Sequence, residues 1–160
     1  MLNESQEVII DVTTGEIKVS SRPVILRALA LGSCVAVVAY DKINKIGGIA
    51  HVMLPGKSPR KEETGKFKYA EGALEVLFDA ARKLGAGVKN LEVNIIGGAN
   101  VLREGDLPDK VVESVLVCLK RLNIEPKIKK LGGTERRSVS LNIGSGRISY
   151  TEGDSNAREL

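Results

Sequence analysis

The sequence predicts an α+β or mixed α/β sandwich, and three observations support this class. Several short apolar runs are rich in β-branched residues, which favour strands. Two longer segments carry apolar residues at helical spacing. Glycine and proline separate these segments, as turns between strands and helices require. The length of 160 residues fits a single domain, residues 1–160, with a polar and flexible tail at 152–160.

The first half of the sequence predicts strands joined by turns. A Thr13-Thr14-Gly15-Glu16 turn divides one alternating segment into a hairpin or two short strands. Gly32-Ser33-Cys34 interrupts a longer apolar stretch, residues 41–45 form a polar turn, and Pro55-Gly56 ends the last strand. The apolar or alternating segments of this half are residues 8–19, 24–31, 35–40 and 46–54.

The second half predicts two helices among further strands. Apolar residues recur at helical spacing through 70–84, and Gly85 supplies a helix stop. A second helix is expected after Pro108 and Asp109, with one apolar face made of Val112, Val115, Cys118, Leu119 and Leu122. The strand candidates are residues 91–96, 126–131 and 138–150, the last of which turns at Gly144-Ser145-Gly146.

Composition excludes several classes of function. Aromatic residues make up 3% of the chain, so a base-stacking surface for nucleic acid is not expected. No apolar run approaches the roughly 18 residues that span a bilayer, and the N-terminus has no signal-peptide pattern. We therefore expect a cytoplasmic protein with no membrane insertion and with reduced cysteines. The net charge is +4, and the basic cluster at 57–68 predicts a solvated loop or a contact for an acidic protein.

Cys34 and His51 are the candidate catalytic residues. His51 is the one histidine in the chain. Cys34 follows Gly32-Ser33, where a glycine-bearing turn before a strand can expose both a nucleophile and backbone N–H groups. Cys118, the other cysteine, lies on the apolar face of the second helix and is expected to be a small core residue.

Antiparallel pairing through the 42–45 turn would bring the two candidates to one face of a sheet. If Asp41 faces Ile46, then Ala36 opposes His51, and Cys34 becomes a diagonal neighbour of His51. Such neighbours lie roughly 7–8 Å apart at the backbone, within reach of an imidazole. A slip of one residue would place the two side chains on opposite faces.

A cysteine and a histidine on one face support nucleophilic acyl transfer. The imidazole takes the thiol proton and the thiolate attacks a carbonyl carbon, while a nearby imidazolium lowers the thiol pKa below about 8.5. Backbone N–H groups at Gly32, Ser33 and Cys34 are candidates for stabilising the oxyanion. A lone cysteine and a lone histidine in apolar strands are also common as core residues, so a purely structural role stays open.

Metal and cofactor patterns are not recognisable. One histidine and two distant cysteines do not form a zinc-ligand set. The glycine pairs at 97–98 and 132–133 match neither a dinucleotide fingerprint nor a P-loop, and are expected to form tight turns at strand ends. We therefore expect no metal and no cofactor.

Five sequence blocks together resemble the CheD family of chemoreceptor glutamine deamidases. The most specific are Leu31-Gly32-Ser33-Cys34-Val35 and His51-Val52-Met53-Leu54-Pro55. Three further blocks follow in the family's order, at 96–100, 131–133 and 137–139. The resemblance extends from about Val8 to Tyr150.

The resemblance implies a protein of bacterial or archaeal chemotaxis. Members of this family hydrolyse the side-chain amides of selected glutamines on the cytoplasmic domains of methyl-accepting chemoreceptors, and some bind a CheC-type phosphatase of the response regulator. It implies a layered sandwich of mainly antiparallel sheet with two main helices, similar to deamidating toxin domains, and no cofactor or metal. It makes Cys34 the nucleophile and His51 the general base and acid, with Gly32 and Ser33 in support.

Ala28 departs from the family pattern. The family commonly has a threonine at this position as the third catalytic member, and alanine cannot hydrogen-bond an imidazole. Either another group, such as a backbone carbonyl or a water, orients His51, or catalysis is weakened. Residues 106–112 and 132–137 also differ from the family, which affects the expected substrate and partner contacts.

Two other functions stay open at this point. A binding module that regulates a CheC-type phosphatase, or that docks on receptors without reacting, is favoured by Ala28. A methylesterase would share the acyl-transfer chemistry but would require a serine–histidine–aspartate set, and Ser33 does not lie in a nucleophile-elbow motif.

Overall fold

The computed structural model describes residues 6–60 and 67–160, which fold into three layers. Two helices cover one five-stranded sheet, and a second five-stranded sheet covers its other face. In chain order the elements are β1 (Ile9–Asp11), β2 (Ile17–Ser20), β3 (Ile25–Leu31), β4 (Val35–Asp41), β5 (Ile46–Val52), α1 (Ala70–Lys83), β6 (Leu91–Gly97), α2 (Leu107–Arg121), β7 (Ile128–Leu131), β8 (Arg137–Asn142), β9 (Ile148–Glu152) and β10 (Arg158–Glu159).

Antiparallel pairing dominates both sheets. The central sheet has the order β2-β5-β4-β6-β7, and the outer sheet has the order β1-β3-β8-β9-β10. Only two of the pairs in these sheets, β1 with β3 and β6 with β7, are parallel. The predicted layered α+β class, with mainly antiparallel strands and two main helices, is confirmed.

The central sheet is buried on both faces. Every residue of β4 and β5 is buried, because the helices cover one face of these strands and the outer sheet covers the other. Strands in such a position are apolar along their whole length, which is why 35–40 and 46–54 appear as continuous runs in the sequence. Leu74, Leu77 and Leu119 fill the core on the helix side, and Leu26 and Leu141 fill the core between the sheets.

The two predicted helices form, with one correction to the second. α1 covers almost the predicted range, and its last carbonyls are capped by the backbone of 84–86. α2 begins at Leu107, before the predicted start, because Pro108 fits the first helical turn, where its missing N–H leaves no bond unmade. Its buried face is made of Pro108, Val111, Val115, Cys118 and Leu119. Of the predicted members of this face, Val112 is half-buried and Leu122 is exposed. The core role of Cys118 is confirmed.

Two short strands form at 8–19, but the hairpin alternative is wrong. β1 joins the outer sheet beside β3, and β2 joins the central sheet beside β5. Residues 12–16 therefore cross from one sheet to the other. Alternation in the sequence shows that strands form here, but it does not select their partners.

Several expectations concern the remaining segments. Residues 61–66 of the basic cluster lie outside the described residues, and the described Lys57 and Arg60 are exposed. β10 lies within 152–160, the segment expected to be a flexible tail, and pairs with β9. The flexibility of this tail and the single-domain organisation stay predictions. No helix in the described ranges is long and apolar enough to cross a bilayer. Both cysteines are free thiols.

Candidate active site

Cys34 lies in the short connection between β3 and β4. This connection follows a β-bulge at the end of β3, where Ala30 has a φ of +53°. The Cys34 carbonyl accepts a hydrogen bond from the Gly98 N–H at 2.9 Å, and the Gly32 carbonyl accepts one from the Ala99 N–H at 2.8 Å. We call residues 32–34 the nucleophile loop, after the candidate nucleophile Cys34, and the loop after β6 holds this segment from one side. The Cys34 side chain is half-buried against the core between the two sheets.

The two glycines after β6 are required for this close approach. Gly97 has a φ of +124°, and a Cβ there would lie 2.3 Å from the Cys34 carbonyl oxygen. Gly98 has a φ of +65°, and its Cβ would lie 2.4 Å from the Val112 side chain. Only glycine fits both the conformation and the space. The pair ends a strand as predicted, and in addition it permits contact with the nucleophile loop.

The predicted register of β4 and β5 is confirmed. Asp41 pairs with Ile46 and Ala36 pairs with His51. His51 therefore faces the same side of the central sheet as Ala36, which lies in the core between the sheets. Cys34, two residues before Ala36, packs against that same core. Cys34 and His51 thus share one face as diagonal neighbours.

A backbone carbonyl orients the His51 ring. His51 Nδ1 lies 2.8 Å from the Val12 carbonyl oxygen, which can only accept a hydrogen bond. Nδ1 must therefore carry the proton, and in the neutral ring Nε2 is the unprotonated nitrogen. Nε2 has no hydrogen-bond partner among the described residues. The tautomer is the one that a general base acting through Nε2 requires.

The segment between β1 and β2 also fixes the His51 backbone. The Gly15 N–H donates to the His51 carbonyl, and the His51 N–H donates to the Glu16 carbonyl, both at 3.0 Å. The turn is closed on itself, because the Thr13 N–H donates to Glu16 Oε1 at 2.9 Å and the Thr13 hydroxyl donates to the same oxygen. Residues 12–16 therefore hold both the main chain and the ring of His51.

Ala28 is a buried residue of β3 in the outer sheet. It is completely buried and pairs with Val139 in β8. The Val12 N–H donates to the carbonyl of the preceding residue, Arg27, at 2.7 Å, so the carbonyl that orients His51 is anchored beside Ala28. A backbone group thus supplies the bond that the alanine side chain cannot, which is one of the two alternatives expected from the sequence.

Burial keeps both candidate groups neutral. Burial raises the pKa of the Cys34 thiol above its usual value of 9.0. Burial also lowers the pKa of His51 below 6.5, although the Val12 hydrogen bond and the nearby Glu16 charge oppose this shift. Burial acts against the expected lowering of the thiol pKa by an imidazolium, and that lowering stays a prediction. At neutral pH the pair is a thiol beside a neutral imidazole.

An open cleft of about 330 Å³ gives access to Cys34. Its walls come from the bulge of β3, the nucleophile loop, the connection from β6 to α2 and the start of β8: Ala30, Gly32, Ser33, Cys34, Ala99, Asn100, Val101, Leu102, Glu104, Leu107, Pro108 and Arg136. His51 is buried and is not one of the lining residues. Cys34 thus borders the cleft, whereas His51 does not.

Three consecutive amides at the nucleophile are available as donors. The N–H groups of Gly32, Ser33 and Cys34 donate to no other group in the described part of the chain. Unpaired backbone N–H groups beside a nucleophile are the usual donors to an oxyanion. The predicted supporting residues therefore border the cleft with free donors, and their catalytic role stays a prediction.

Some residues of the site were not predicted from the sequence. The Val12 carbonyl is a backbone atom, so no residue type announces it. The sequence predicts only a turn at Thr13 and Glu16, although a threonine three residues before a glutamate is a pattern that closes turns. Arg136 and Asn100 line the cleft because β8 and the loop after β6 meet there. Within the described ranges, no three histidine, cysteine, aspartate or glutamate side chains cluster as a metal site.

The fold and the site together define a layered α+β protein with a cysteine and an oriented histidine on one face of its central sheet, beside an open cleft. The family model for CheD, described as chemotactic sensory transduction, matches residues 53–152. The chain belongs to the CheD family.

Three relatives support this membership. A probable chemoreceptor glutamine deamidase CheD from Chlorobium luteolum is 40% identical over 88% of this chain and 71% of its own length. The chemoreceptor glutamine deamidase CheD of Thermotoga maritima is 38% identical over 84% of this chain and 85% of its own length. A probable chemoreceptor glutamine deamidase CheD from Methanococcus maripaludis is 34% identical over 91% of this chain and 96% of its own length. The family-model match begins at residue 53 and so does not reach Cys34 or His51. The alignment with the Chlorobium luteolum relative covers 88% of this chain, which leaves too few residues outside it to exclude position 34, so it includes both residues.

Proposed function

We propose that this protein is a chemoreceptor glutamine deamidase that uses Cys34 as nucleophile and His51 as general base and acid. The observation that carries the proposal is the shared face of Cys34 and His51, with the Val12 carbonyl leaving His51 Nε2 as the basic nitrogen. The names of the relatives, which describe deamidation of chemoreceptor glutamines, support the reaction and the substrate.

The first half-reaction forms a thioester. His51 Nε2 takes the Cys34 proton as Sγ attacks the side-chain amide carbon of the glutamine, and the carbonyl oxygen becomes an oxyanion. The free N–H groups of Gly32, Ser33 and Cys34 are the candidate donors to that oxyanion. The C–N bond then breaks, and the imidazolium gives its proton to the leaving nitrogen, which departs as ammonia.

The second half-reaction restores the enzyme. His51 takes a proton from a water molecule whose oxygen attacks the thioester carbon. The C–S bond breaks, the Cys34 thiolate regains a proton from the imidazolium, and the side chain leaves as glutamate. Each half-reaction starts from neutral His51, which agrees with the lowered pKa of this residue.

The walls of the cleft suit an amphipathic protein segment as substrate. Leu102 and Leu107 are exposed apolar side chains on one wall, and Arg136 is an exposed cation on another. An amphipathic helix can set its apolar face against such a wall while one glutamine enters beside Cys34. A site on receptor cytoplasmic domains would make this a cytoplasmic protein.

The test is ammonia release from purified receptor cytoplasmic fragments, together with the mass of the modified peptides. We expect the wild type to release ammonia, and Cys34→Ala and His51→Ala to be slower by about 1,000-fold or more, since both residues act in bond making. Cys118→Ala is the matched control, because Cys118 lies in the helix core away from the cleft, and we expect near-wild-type rates. Absence of release by the wild type from any receptor fragment of the source organism would refute the proposal.

A second candidate function is a non-catalytic chemotaxis module that binds receptors or a CheC-type phosphatase. Ala28 and the raised thiol pKa favour it, because neither increases the reactivity of Cys34. In that case Cys34→Ala would retain partner binding and phosphatase activation in full.

A further inference from the structure

The first two residues of β8, Arg137 and Ser138, contact the segments that flank the nucleophile loop. Arg137 is only 7% exposed, although it carries a charge. Its guanidinium donates to the Gly132 carbonyl at 2.8 Å, to the Gly97 carbonyl at 3.3 Å and to Glu152 at 2.9 Å. These partners replace water at the two terminal nitrogens, as a buried guanidinium requires, whereas the buried Nε has no partner in the described part of the chain. Arg137 therefore links the ends of β6 and β7 in the central sheet to the end of β9 in the outer sheet.

The carbonyl groups that Arg137 holds belong to the segment that supports Cys34. Gly97 is followed directly by Gly98, whose N–H donates to the Cys34 carbonyl. Gly132 is followed by Gly133, whose carbonyl accepts from the Asn100 N–H at 2.8 Å in the cleft wall. The arginine thus lies one peptide away from the group that binds the nucleophile residue.

Ser138 acts on the opposite side of the loop. Its hydroxyl accepts a hydrogen bond from the Ala30 N–H at 2.9 Å. Ala30 has a φ of +53°, which is uncommon for a residue with a Cβ, and it lies in the bulge that leads into the nucleophile loop. The bulge interrupts the ladder between β3 and β8, so the Ser138 side chain replaces the backbone partner of this N–H group.

We propose that Arg137 and Ser138 are positioning residues for Cys34, holding the nucleophile loop at the distance from His51 that proton transfer needs. This proposal rests on the proposed deamidase function. Arg137 acts through Gly97 and Gly98, and Ser138 acts through Ala30. Neither residue takes part in the bond making itself.

The test compares Arg137→Met, Arg137→Lys and Ser138→Ala with two matched controls. Ser140→Ala removes a serine hydrogen bond from the same strand, to Ser149 at 2.7 Å. Arg147→Met removes an arginine ion pair, to Glu159 at 3.0 Å, at the β8–β9 turn. All five variants are made in the Cys118→Ala chain, so that Cys34 is the only thiol.

Two readouts are expected to move in opposite directions. For deamidation we expect kcat to fall about 10- to 100-fold in Arg137→Met and less in Ser138→Ala, with KM within about threefold of the parent, because misplacement of a catalytic group by about 1 Å has effects of this size. Arg137→Lys should recover part of the loss. Alkylation of Cys34 by iodoacetamide should become faster at pH 8, because a loosened loop exposes the thiol and its pKa returns toward the usual value. The controls should show neither change.

An unchanged kcat in folded Arg137→Met and Ser138→Ala would overturn the proposal, and so would an unchanged alkylation pH profile. Folding is checked by circular dichroism and by the melting temperature, and Ser138→Ala decides the question if Arg137→Met does not fold. If the parent chain releases no ammonia, the deamidase function fails, and the alkylation profile alone decides whether these residues position Cys34.

Discussion

The Val12 carbonyl oxygen lies 2.8 Å from His51 Nδ1, and this contact determines which ring nitrogen can act as a base. Val12 is itself anchored to β3 through the Arg27 carbonyl. A main-chain acceptor cannot rotate away as a threonine hydroxyl can, and it cannot donate, so it admits one tautomer of the neutral ring. The alanine at position 28 is therefore compatible with an oriented histidine.

We expect deamidation to be lost on the acid side below the usual histidine pKa of 6.5, because burial lowers the His51 pKa and only the neutral ring accepts the thiol proton. On the basic side the rate should hold to above pH 9.0, because burial raises the thiol pKa of Cys34. The measurement is kcat/KM against pH. An acid limb centred above pH 6.5 would contradict this expectation.

The same His51 shift predicts a stability change with pH. A group whose pKa is lowered by folding stabilises the protein above its unfolded value, and that stability is lost as the pH falls through the folded value. We therefore expect the free energy of unfolding to decrease below about pH 6.5. Urea unfolding of the wild type and of His51→Gln between pH 5 and 8 tests this. The decrease attributable to His51 should be absent from the variant.

Removing the charge of Glu16 should shift the acid limb to lower pH. The Thr13 hydroxyl lowers the pKa of Glu16, so the carboxylate is charged at neutral pH and raises the pKa of His51. In Glu16→Gln the amide oxygen can still accept from Thr13, so the turn is retained while the charge is lost. The measurement is the pH profile of kcat/KM.

Glu92→Gln is the matched control for Glu16, because Glu92 pairs with Lys42 and Lys127 near the other end of the central sheet. It should leave the acid limb in place. An acid limb that moves equally in both variants would show a general charge effect rather than a local one.

Restoring the family threonine at position 28 should lower stability without a large gain in rate. Ala28 is completely buried, so the larger side chain overpacks the core between the sheets, which costs about 1–3 kcal/mol. His51 Nδ1 is already bonded, so we expect less than about a threefold change in kcat. Ala28→Val, which has the shape of threonine without the hydroxyl, is the control. A rise in kcat of tenfold or more in Ala28→Thr alone would show that the hydroxyl is needed.

Gly97→Ala should lower both stability and deamidation more than an alanine at a glycine with open space around it. Its Cβ would meet the Cys34 carbonyl oxygen at a φ that only glycine readily adopts, so the nucleophile loop must shift or the strand must unfold locally. We expect a loss of at least about 2 kcal/mol and of most deamidation. Gly56→Ala is the control, because Gly56 has a φ of +76° but open space around it. Equal losses of activity in both variants would contradict this reading of Gly97.

The sequence predicts most of the fold and the central geometry of the site. The polar residues at 42–45 fix the turn between two apolar runs, and the Ala36–His51 register follows from that turn alone. Helical spacing locates α1 almost to the residue. For α2 the pattern places Pro108 at the boundary rather than in the first turn, so the predicted apolar face includes Val112 and Leu122 in place of Val111.

Features that depend on tertiary packing could not be predicted. The acceptor for His51 is a main-chain carbonyl, and its position depends on β1 and β2 belonging to different sheets. The raised pKa of Cys34 is caused by burial, which depends on how the folded chain packs around this residue. The contacts of Arg137 and Ser138 depend on β8 meeting both β3 and the ends of β6 and β7.

The crossing of residues 12–16 from the outer sheet to the central sheet has a consequence for newly made chains. The ring of His51 is aligned only after both sheets have docked, because its acceptor is anchored to one sheet and the ring to the other. A chain whose two sheets had not docked would lack the Val12 acceptor for the His51 ring. Under the proposed mechanism, such a chain would have no aligned base for the Cys34 thiol.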